Sequence, residues 1–140
     1  ALKPKDKVKE LGTTVGEALL APTRIYVRPI LKLLKRFKIR SIAHITGGGI
    51  TGNLNRALNA KCDAVVKFGS WERKPIFDWL QKLGPVRDEE MYRTFNMGLG
   101  MILVSPKEEA AGILRALKGM RESAWDVGEV VRGSGQVRLE

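Results

Sequence analysis

Three consecutive glycines, Gly47, Gly48 and Gly49, constrain this chain more than any other feature of its sequence. They follow a β-branched run and precede a helical pattern that begins near Ile50, so they predict a strand, a tight loop and a helix in succession. Glycine accepts positive φ and has no side chain, so such a loop can direct several backbone N–H groups at one point. With the unpaired amides and the positive dipole end of the following helix, the loop can bind an anion, most usefully a phosphate.

The same pattern equally fits a tight strand-to-helix turn that binds nothing. No Gly-Lys-Ser/Thr follows the glycines, so the loop is not a Walker A motif. The side chains of His44 and Thr46, just before the glycines, can donate or accept protons. His44 therefore fits either a core histidine with satisfied hydrogen bonds or a group that donates to an oxyanion or moves a proton.

The composition fits one folded domain with one core, because 44% of the 140 residues are hydrophobic. No apolar run approaches the ~20 residues that span a bilayer. The single cysteine, Cys62, excludes an internal disulfide and suits a buried residue in a reducing compartment. With one histidine and one cysteine, the sequence shows no metal-ligand spacing, and we predict no metal site in this chain.

The net charge of +10 is concentrated in the first third of the chain. Residues 1–44 contain eleven Lys and Arg against three acidic residues, whereas the remaining residues contain fourteen against twelve. A basic segment is compatible with nucleic-acid binding or with an anionic small substrate. However, the few aromatic residues are not interleaved with the basic ones, as stacking platforms for bases would be. The sequence favours a solvated lysine-rich tail and helix face.

Strand and helix patterns alternate along the chain. Helices are predicted at 14–20, 28–38, 50–58, 75–83 and 89–95, and from a capping box at 105–108 to Gly119. Thr14 and Asp88 are predicted N-caps, and Gly84 is the predicted stop of the helix at 75–83. Strands are predicted at 41–46, 64–66, 98–104, 123–131 and 136–139, the last two joined as a hairpin through residues 133–135. This order predicts an α+β fold with a mixed sheet of about four to five strands and packed helices.

The first twelve residues differ from the rest. Residues 1–12 alternate Lys with other residues and lack a periodic apolar face, so we predict a linker or domain-boundary segment there and a folded domain at 13–140. The chain begins with Ala1 and not with Met, and we expect that a further segment precedes it.

Three segments together resemble a known family. They are EALLAPTRIYV at 17–27, AHITGGG at 43–49 and EMYRTFNMGLGM at 90–101. In this order they resemble the C-terminal domain of phosphoribosylaminoimidazole synthetase, also called phosphoribosylformylglycinamidine cyclo-ligase. The resemblance runs from about Leu11 to the C-terminus. One departure is Asn55, which stands where the family usually has a helix-start proline, and this concerns stability more than chemistry.

The resemblance implies a three-layer α/β/α fold and an ATP-dependent ligase of de novo purine biosynthesis. In that reaction the formyl oxygen of formylglycinamidine ribonucleotide is phosphorylated, and an amidine-side nitrogen displaces it to close the ring of aminoimidazole ribonucleotide. Family members need Mg²⁺ and form homodimers through an N-terminal domain that carries most ATP and metal ligands. Residues 13–140 would be the C-terminal substrate- and phosphate-binding domain, and we expect this chain alone to be inactive and to hold no cofactor tightly.

The resemblance and the residue chemistry together select candidate site residues. His44 is the candidate for catalysis. The candidate phosphate and substrate ligands are Arg24, Thr46, Gly47, Gly48, Gly49, Asn53 and Asn96. We expect the glycines to hold the ribose phosphate and Arg24 to pair with a phosphate oxygen. Asn96 is expected either to bind substrate or to close the turn before Gly98.

The alternative is a stand-alone basic module that binds phosphorylated ligands or RNA without catalysis. RNA binding would depend on salt and on Lys32, Lys35 and Arg36, whereas binding of a phosphorylated ligand would depend on the glycines. The sequence favours the enzyme because its basic residues and its motifs lie in different segments. We therefore expect a phosphorylated ribonucleotide as partner, no nucleic acid, no membrane and a cytoplasmic location.

Overall fold

The computed structural model describes residues 1–140 and has six α-helices and seven strands. In chain order they are β1 (Lys7–Val8), β2 (Thr13–Thr14), α1 (Val15–Leu19), α2 (Val27–Leu34), β3 (Ser41–His44), α3 (Gly49–Arg56), β4 (Cys62–Val66), α4 (Pro75–Leu83), α5 (Asp88–Thr94), β5 (Met101–Val104), α6 (Lys107–Gly119), β6 (Gly128–Arg132) and β7 (Val137–Leu139). One turn of 3₁₀-helix lies at Lys9–Leu11 between the first two strands. The predicted α+β class is confirmed.

The main core lies where α3 and α5 pack on the central strands. Ile50 and Leu54, one turn apart in α3, are buried because residues four positions apart share a helix face. Met91 of α5 and Met97 in the following turn are fully buried in the same cluster. The flanking strands contribute small or branched side chains, among them Ala43, Ile102, Ala64 and Val66. The core thus fixes α3, and with it the glycine loop, against α5.

Five strands surround this core as two separate sheets. β3 and β5 pair antiparallel, with Ser41 opposite Val104 and His44 opposite Met101. The other sheet has the order β6-β4-β7, in which β4 pairs antiparallel with β6 and parallel with β7. The number of core strands agrees with the prediction, but they form two sheets and not the one mixed sheet that was predicted, and only the β6-β4-β7 sheet is mixed.

The predicted hairpin between the last two strands is wrong, because both strands pair with β4 and not with each other. The physical cause is Asp63 in β4. Its carboxylate accepts hydrogen bonds from the backbone N–H groups of Ser134 and Gln136 at 2.8 and 2.9 Å. The loop between the two strands therefore crosses the end of β4 and leaves one strand on each side of it.

Two of the predicted helix ends are confirmed and two are wrong. Thr14 caps α1 in a capping box with Glu17, and Gly84 directly follows the last residue of α4. At α6 the N-cap residue is Pro106, and no side chain caps the helix. Likewise Asp88 is the first residue of α5 and not its N-cap. In both cases the predicted N-cap lies one residue away from the N-cap in the structure.

The segment at 1–12 carries the first strand and the 3₁₀ turn. Val8 is buried in a small second cluster with Val15 and Trp79 of α4. This cluster attaches the N-terminal hairpin of β1 and β2 to the domain. None of the helices is both long enough and apolar enough to cross a bilayer.

Candidate functional site

The glycine loop, residues 46–49, connects β3 to α3. Its entry is fixed by Ile45, which is buried and whose N–H donates to the carbonyl oxygen of Gly100 at 2.9 Å. Gly48 has φ +97° and is the N-cap residue of α3, and Gly49 has φ +60°. These values lie in the left-handed region that glycine adopts without strain. The expectation of positive φ within the glycine run is therefore confirmed at two of the three positions.

Gly49 is required by a close approach between helices. A Cβ at this position would lie 2.1 Å from the carbonyl oxygen of Tyr92 and 2.6 Å from the carbonyl carbon of Arg93. Those atoms belong to the backbone of α5, which cannot move aside as a flexible side chain can. The three glycines thus differ in function: a Cβ at Gly47 would meet nothing within 4 Å.

Asn53 holds the loop in shape from inside. Its side-chain amide donates to the carbonyl oxygens of Thr46, Gly47 and Gly49 at 3.3, 3.2 and 2.7 Å. Its Oδ1 accepts from the Arg56 guanidinium at 2.6 Å, which agrees with this orientation of the amide. Since its donors are used on the loop, Asn53 positions the backbone and has no free N–H for a substrate.

The loop has free backbone donors on its exposed side. The N–H groups of Thr46, Gly47 and Gly48 have no acceptor within the protein. All three residues are exposed, and they immediately precede the first turn of α3. Consecutive free amides next to a helix N-terminus can bind an anion such as phosphate.

His44 lies at the end of β3 beside this loop, and it is exposed. Its ring meets the half-buried ring of Tyr26 edge-on, with centroids 5.9 Å apart and an interplanar angle of 68°. Tyr26 lies over Gly100, where a Cβ would fall 1.8 Å from the tyrosine hydroxyl oxygen. The sequence pattern gives no local sign of this role for Gly100, because Gly100 meets the distant Tyr26 only in the tertiary structure.

Arg24 lies near Tyr26 and is paired with an acid. The guanidinium contacts Oε2 of Glu122 at 2.5 Å, and the arginine side chain remains more than half exposed. Burial raises the pKa of the Tyr26 hydroxyl, the Arg24 charge opposes the rise, and Glu122 adds to it. The raised pKa keeps the Tyr26 hydroxyl protonated at neutral pH. Glu122 is a residue that the sequence analysis missed, since it is almost a hundred positions from Arg24.

Asn96 closes a turn. Its Oδ1 accepts from the N–H of Gly98 at 3.0 Å, and its carbonyl oxygen accepts from the N–H of Leu99 at 2.9 Å. The next residue, Met97, has φ +52°, and its carbonyl oxygen accepts from the Trp71 indole at 2.9 Å. No hydrogen bond connects Asn96 to the glycine loop.

The acidic residues do not assemble into a metal site. No group of three or more His, Cys, Asp and Glu side chains is close enough together to hold a metal ion. The first turn of α5 carries Asp88, Glu89 and Glu90, all exposed. Asp88 accepts a hydrogen bond from Gln81 at 2.5 Å, and acidic residues here complement the helix dipole.

The structure thus brings the glycine loop, Asn53, His44 and Tyr26 together, with the Arg24–Glu122 pair beside Tyr26. Fold and loop define an α+β domain with a strand–glycine–helix turn whose exposed N–H groups have no acceptor within the protein. The chain belongs to the family described as AIR synthase related protein, C-terminal domain, which it matches over residues 2–140.

Relatives of known name agree with this family. The phosphoribosylformylglycinamidine cyclo-ligase of Syntrophotalea carbinolica is 47% identical over 133 residues, which are 95% of this chain and 38% of that protein. The protein of the same name from Trichlorobacter lovleyi is 53% identical over 117 residues, 84% of this chain and 34% of that protein. This chain therefore spans less than two fifths of the length of these two relatives. The resemblance found in the sequence is confirmed.

The fold also matches a solved structure. HypE, a hydrogenase maturation protein of E. coli, superposes with a TM-score of 0.66 over 93% of this chain and 42% of that chain. The sequence identity is 18%, so this likeness concerns the fold alone.

Proposed function

We propose that this chain is the C-terminal, substrate-binding part of a phosphoribosylformylglycinamidine cyclo-ligase. The observation that carries the proposal is the match of nearly the whole chain to proteins of that name at about 47% identity. The reaction would close the imidazole ring of aminoimidazole ribonucleotide in purine biosynthesis. In it, ATP phosphorylates the formyl oxygen of formylglycinamidine ribonucleotide, and a nitrogen then displaces the phosphate.

The glycine loop is proposed to hold the substrate's ribose phosphate. The free N–H groups of Thr46, Gly47 and Gly48 would donate to phosphate oxygens, and the N-terminus of α3 adds a favourable dipole. Asn53 would act indirectly, because it binds the loop carbonyls from the opposite side. Asn96 would likewise act through the shape of its turn.

His44 is proposed to act on the reacting end of the substrate, as a hydrogen-bond donor or a proton carrier. It is exposed beside the loop, so a bound ligand can reach it. Tyr26 supports the imidazole from one side. Arg24 would attract the anionic substrate, although its pairing with Glu122 reduces the charge that it offers.

The proposed reaction requires ATP and Mg²⁺, and residues of this chain do not fit the metal. No group of three or more His, Cys, Asp and Glu side chains is placed so that it could hold Mg²⁺ here. We therefore assign no metal-dependent step to this chain. The relatives are more than twice as long, and we propose that an N-terminal domain supplies the ATP site and the homodimer contact in a cytoplasmic enzyme.

A domain exchange tests the function. Residues 1–140 would replace the matching C-terminal part of the Syntrophotalea carbinolica relative, and ATP-dependent formation of aminoimidazole ribonucleotide would be measured. We expect the chimera to turn over substrate and the isolated 140-residue chain to show none. A folded, dimeric chimera without turnover would contradict the proposal. The same exchange with the Trichlorobacter lovleyi relative controls for a mismatch between domains.

A further inference from the structure

A second concave surface, which contains no residue of the glycine loop, lies between α2 and α6. This groove has a volume of about 770 Å³. Four cationic side chains line it: Lys32, Lys35, Arg36 and Arg115. No acidic residue lines it.

The groove has an apolar floor under this charged rim. Leu33 is only 1% exposed, whereas Phe37, Ala116 and Met120 are half-buried. The four cations are exposed: one lies in α2, two directly follow its last residue, and one lies in α6. A ligand that fits must therefore present apolar groups in the middle and negative charge on both sides.

Compact phosphates do not fit this groove well. The C-terminal residues of α2 border one end of the groove and those of α6 border the other, because Phe37, after α2, lies against Gly112, whereas Arg24, before α2, contacts Glu122, after α6. Helix C-termini carry partial negative charge and offer no free N–H groups. The glycine loop differs, because it offers free backbone N–H groups that can donate to a phosphate.

The groove also lacks an exposed aromatic ring on which the bases of a nucleic acid could stack. The only aromatic ring in the groove is Phe37, and the Arg36 guanidinium lies 5.6 Å from its centroid. The ring edge lies against Gly112, where a Cβ would be 2.8 Å from it. A covered ring gives bases no stacking platform.

We propose that this groove binds an acidic amphipathic helix of a partner protein. One row of apolar side chains would occupy the floor, as in other helix-in-groove complexes. Carboxylates on both sides of that row would pair with Lys32, Arg36 and Arg115. The net charge of +10 would speed the approach of an acidic partner.

The test uses the full 140-residue chain and a synthetic helix with leucines at i, i+3, i+4 and i+7 flanked by glutamates. Affinity is measured by fluorescence anisotropy, and amide shifts locate the site. The triple variant Lys32→Gln, Arg36→Gln, Arg115→Gln removes three charges from the groove. The matched control Lys5→Gln, Lys61→Gln, Lys107→Gln removes three exposed charges elsewhere.

We expect the groove variant to weaken binding about tenfold, since each exposed ion pair contributes modestly. The control should change the affinity by less than about twofold, and a peptide with glutamine in place of glutamate should bind like the groove variant. Three results would overturn the proposal: no binding of the acidic helix, equal weakening by the control, or tighter groove-dependent binding of oligouridylate or pyrophosphate.

Discussion

Gly49 and Tyr92 meet so closely that a single methyl group cannot fit between them: a Cβ at position 49 would lie 2.1 Å from the Tyr92 carbonyl oxygen. The contact joins α3 to α5, and so joins the glycine loop to the EMYRTFNMG segment. Gly49→Ala should therefore destabilise the domain by about 3 kcal/mol, through left-handed backbone strain and overpacking. Chemical denaturation measures this. Gly47→Ala is the control, and equal stability of the two variants would contradict the argument.

Gly48 tests anion binding separately from packing. Its φ is +97°, yet a Cβ there would meet only the Asn53 amide at 3.7 Å. Gly48→Val should strain the turn, redirect its N–H and weaken the binding of inorganic phosphate. Titration with phosphate should shift the amide signals of Thr46, Gly47 and Gly48 in the wild-type chain. Unchanged signals in the loop at high phosphate would remove it as an anion site, and Gly52→Ala in α3 serves as control.

Substitution of Asn53 should lower the free energy of unfolding more than substitution of an exposed neighbour, because its buried side chain donates to three loop carbonyls. Asn53→Asp would place a carboxylate against those carbonyl oxygens, and we expect a loss of about 3 kcal/mol of unfolding free energy. Asn55→Asp, an exposed position on the same helix, should change stability by less than about 0.5 kcal/mol. Comparable losses in the two variants would show that Asn53 does not hold the loop.

His44 is tested in the chimeric enzyme. If its imidazole donates a hydrogen bond or moves a proton, His44→Ala should reduce turnover about 10²–10⁴-fold with little change in thermal stability, since the residue is exposed. His44→Gln can still donate one hydrogen bond but does not titrate near neutral pH. We expect it to retain substrate binding with low turnover. Wild-type turnover in the Gln variant would exclude proton transfer by this residue.

Asp63 makes the loop between β6 and β7 sensitive to acid, because its carboxylate accepts hydrogen bonds from that loop. Hydrogen bonds from the backbone N–H groups of Gln136 and Ser134 hold the pKa of this carboxyl below its ordinary value. Since the folded-state pKa is the lower one, the stabilisation is present above about pH 4 and is lost as the pH falls through the folded-state pKa. Asp63→Asn should therefore lower the thermal midpoint at pH 7, with a difference that shrinks toward pH 3. Glu129→Gln on β6 is the control, and a difference independent of pH would contradict this account.

Local patterns were sufficient where the chemistry is local. The glycine run predicted a strand, a turn with positive φ and a helix, because only glycine adopts that backbone freely. The N-cap at Thr14 and the glycine after α4 were found for the same reason, since each involves residues within four positions of one another. The family motifs were likewise visible as short continuous segments.

Relations between distant segments were decided by tertiary structure. The pattern at 123–139 contains two strands and a glycine turn, which favours a hairpin, but the Asp63 carboxylate draws that turn across β4. The pairing of Arg24 with Glu122, the placement of Tyr26 over Gly100 and the role of Asn53 as a loop support have no local signature. The sequence by itself determined the segments that form the six helices, the five core strands and the glycine loop, although not the short strands β1 and β2, because backbone preference and apolar periodicity are local. Only the tertiary structure decided which strands are neighbours and which side chains meet at the site, because those contacts depend on packing between residues far apart in the chain.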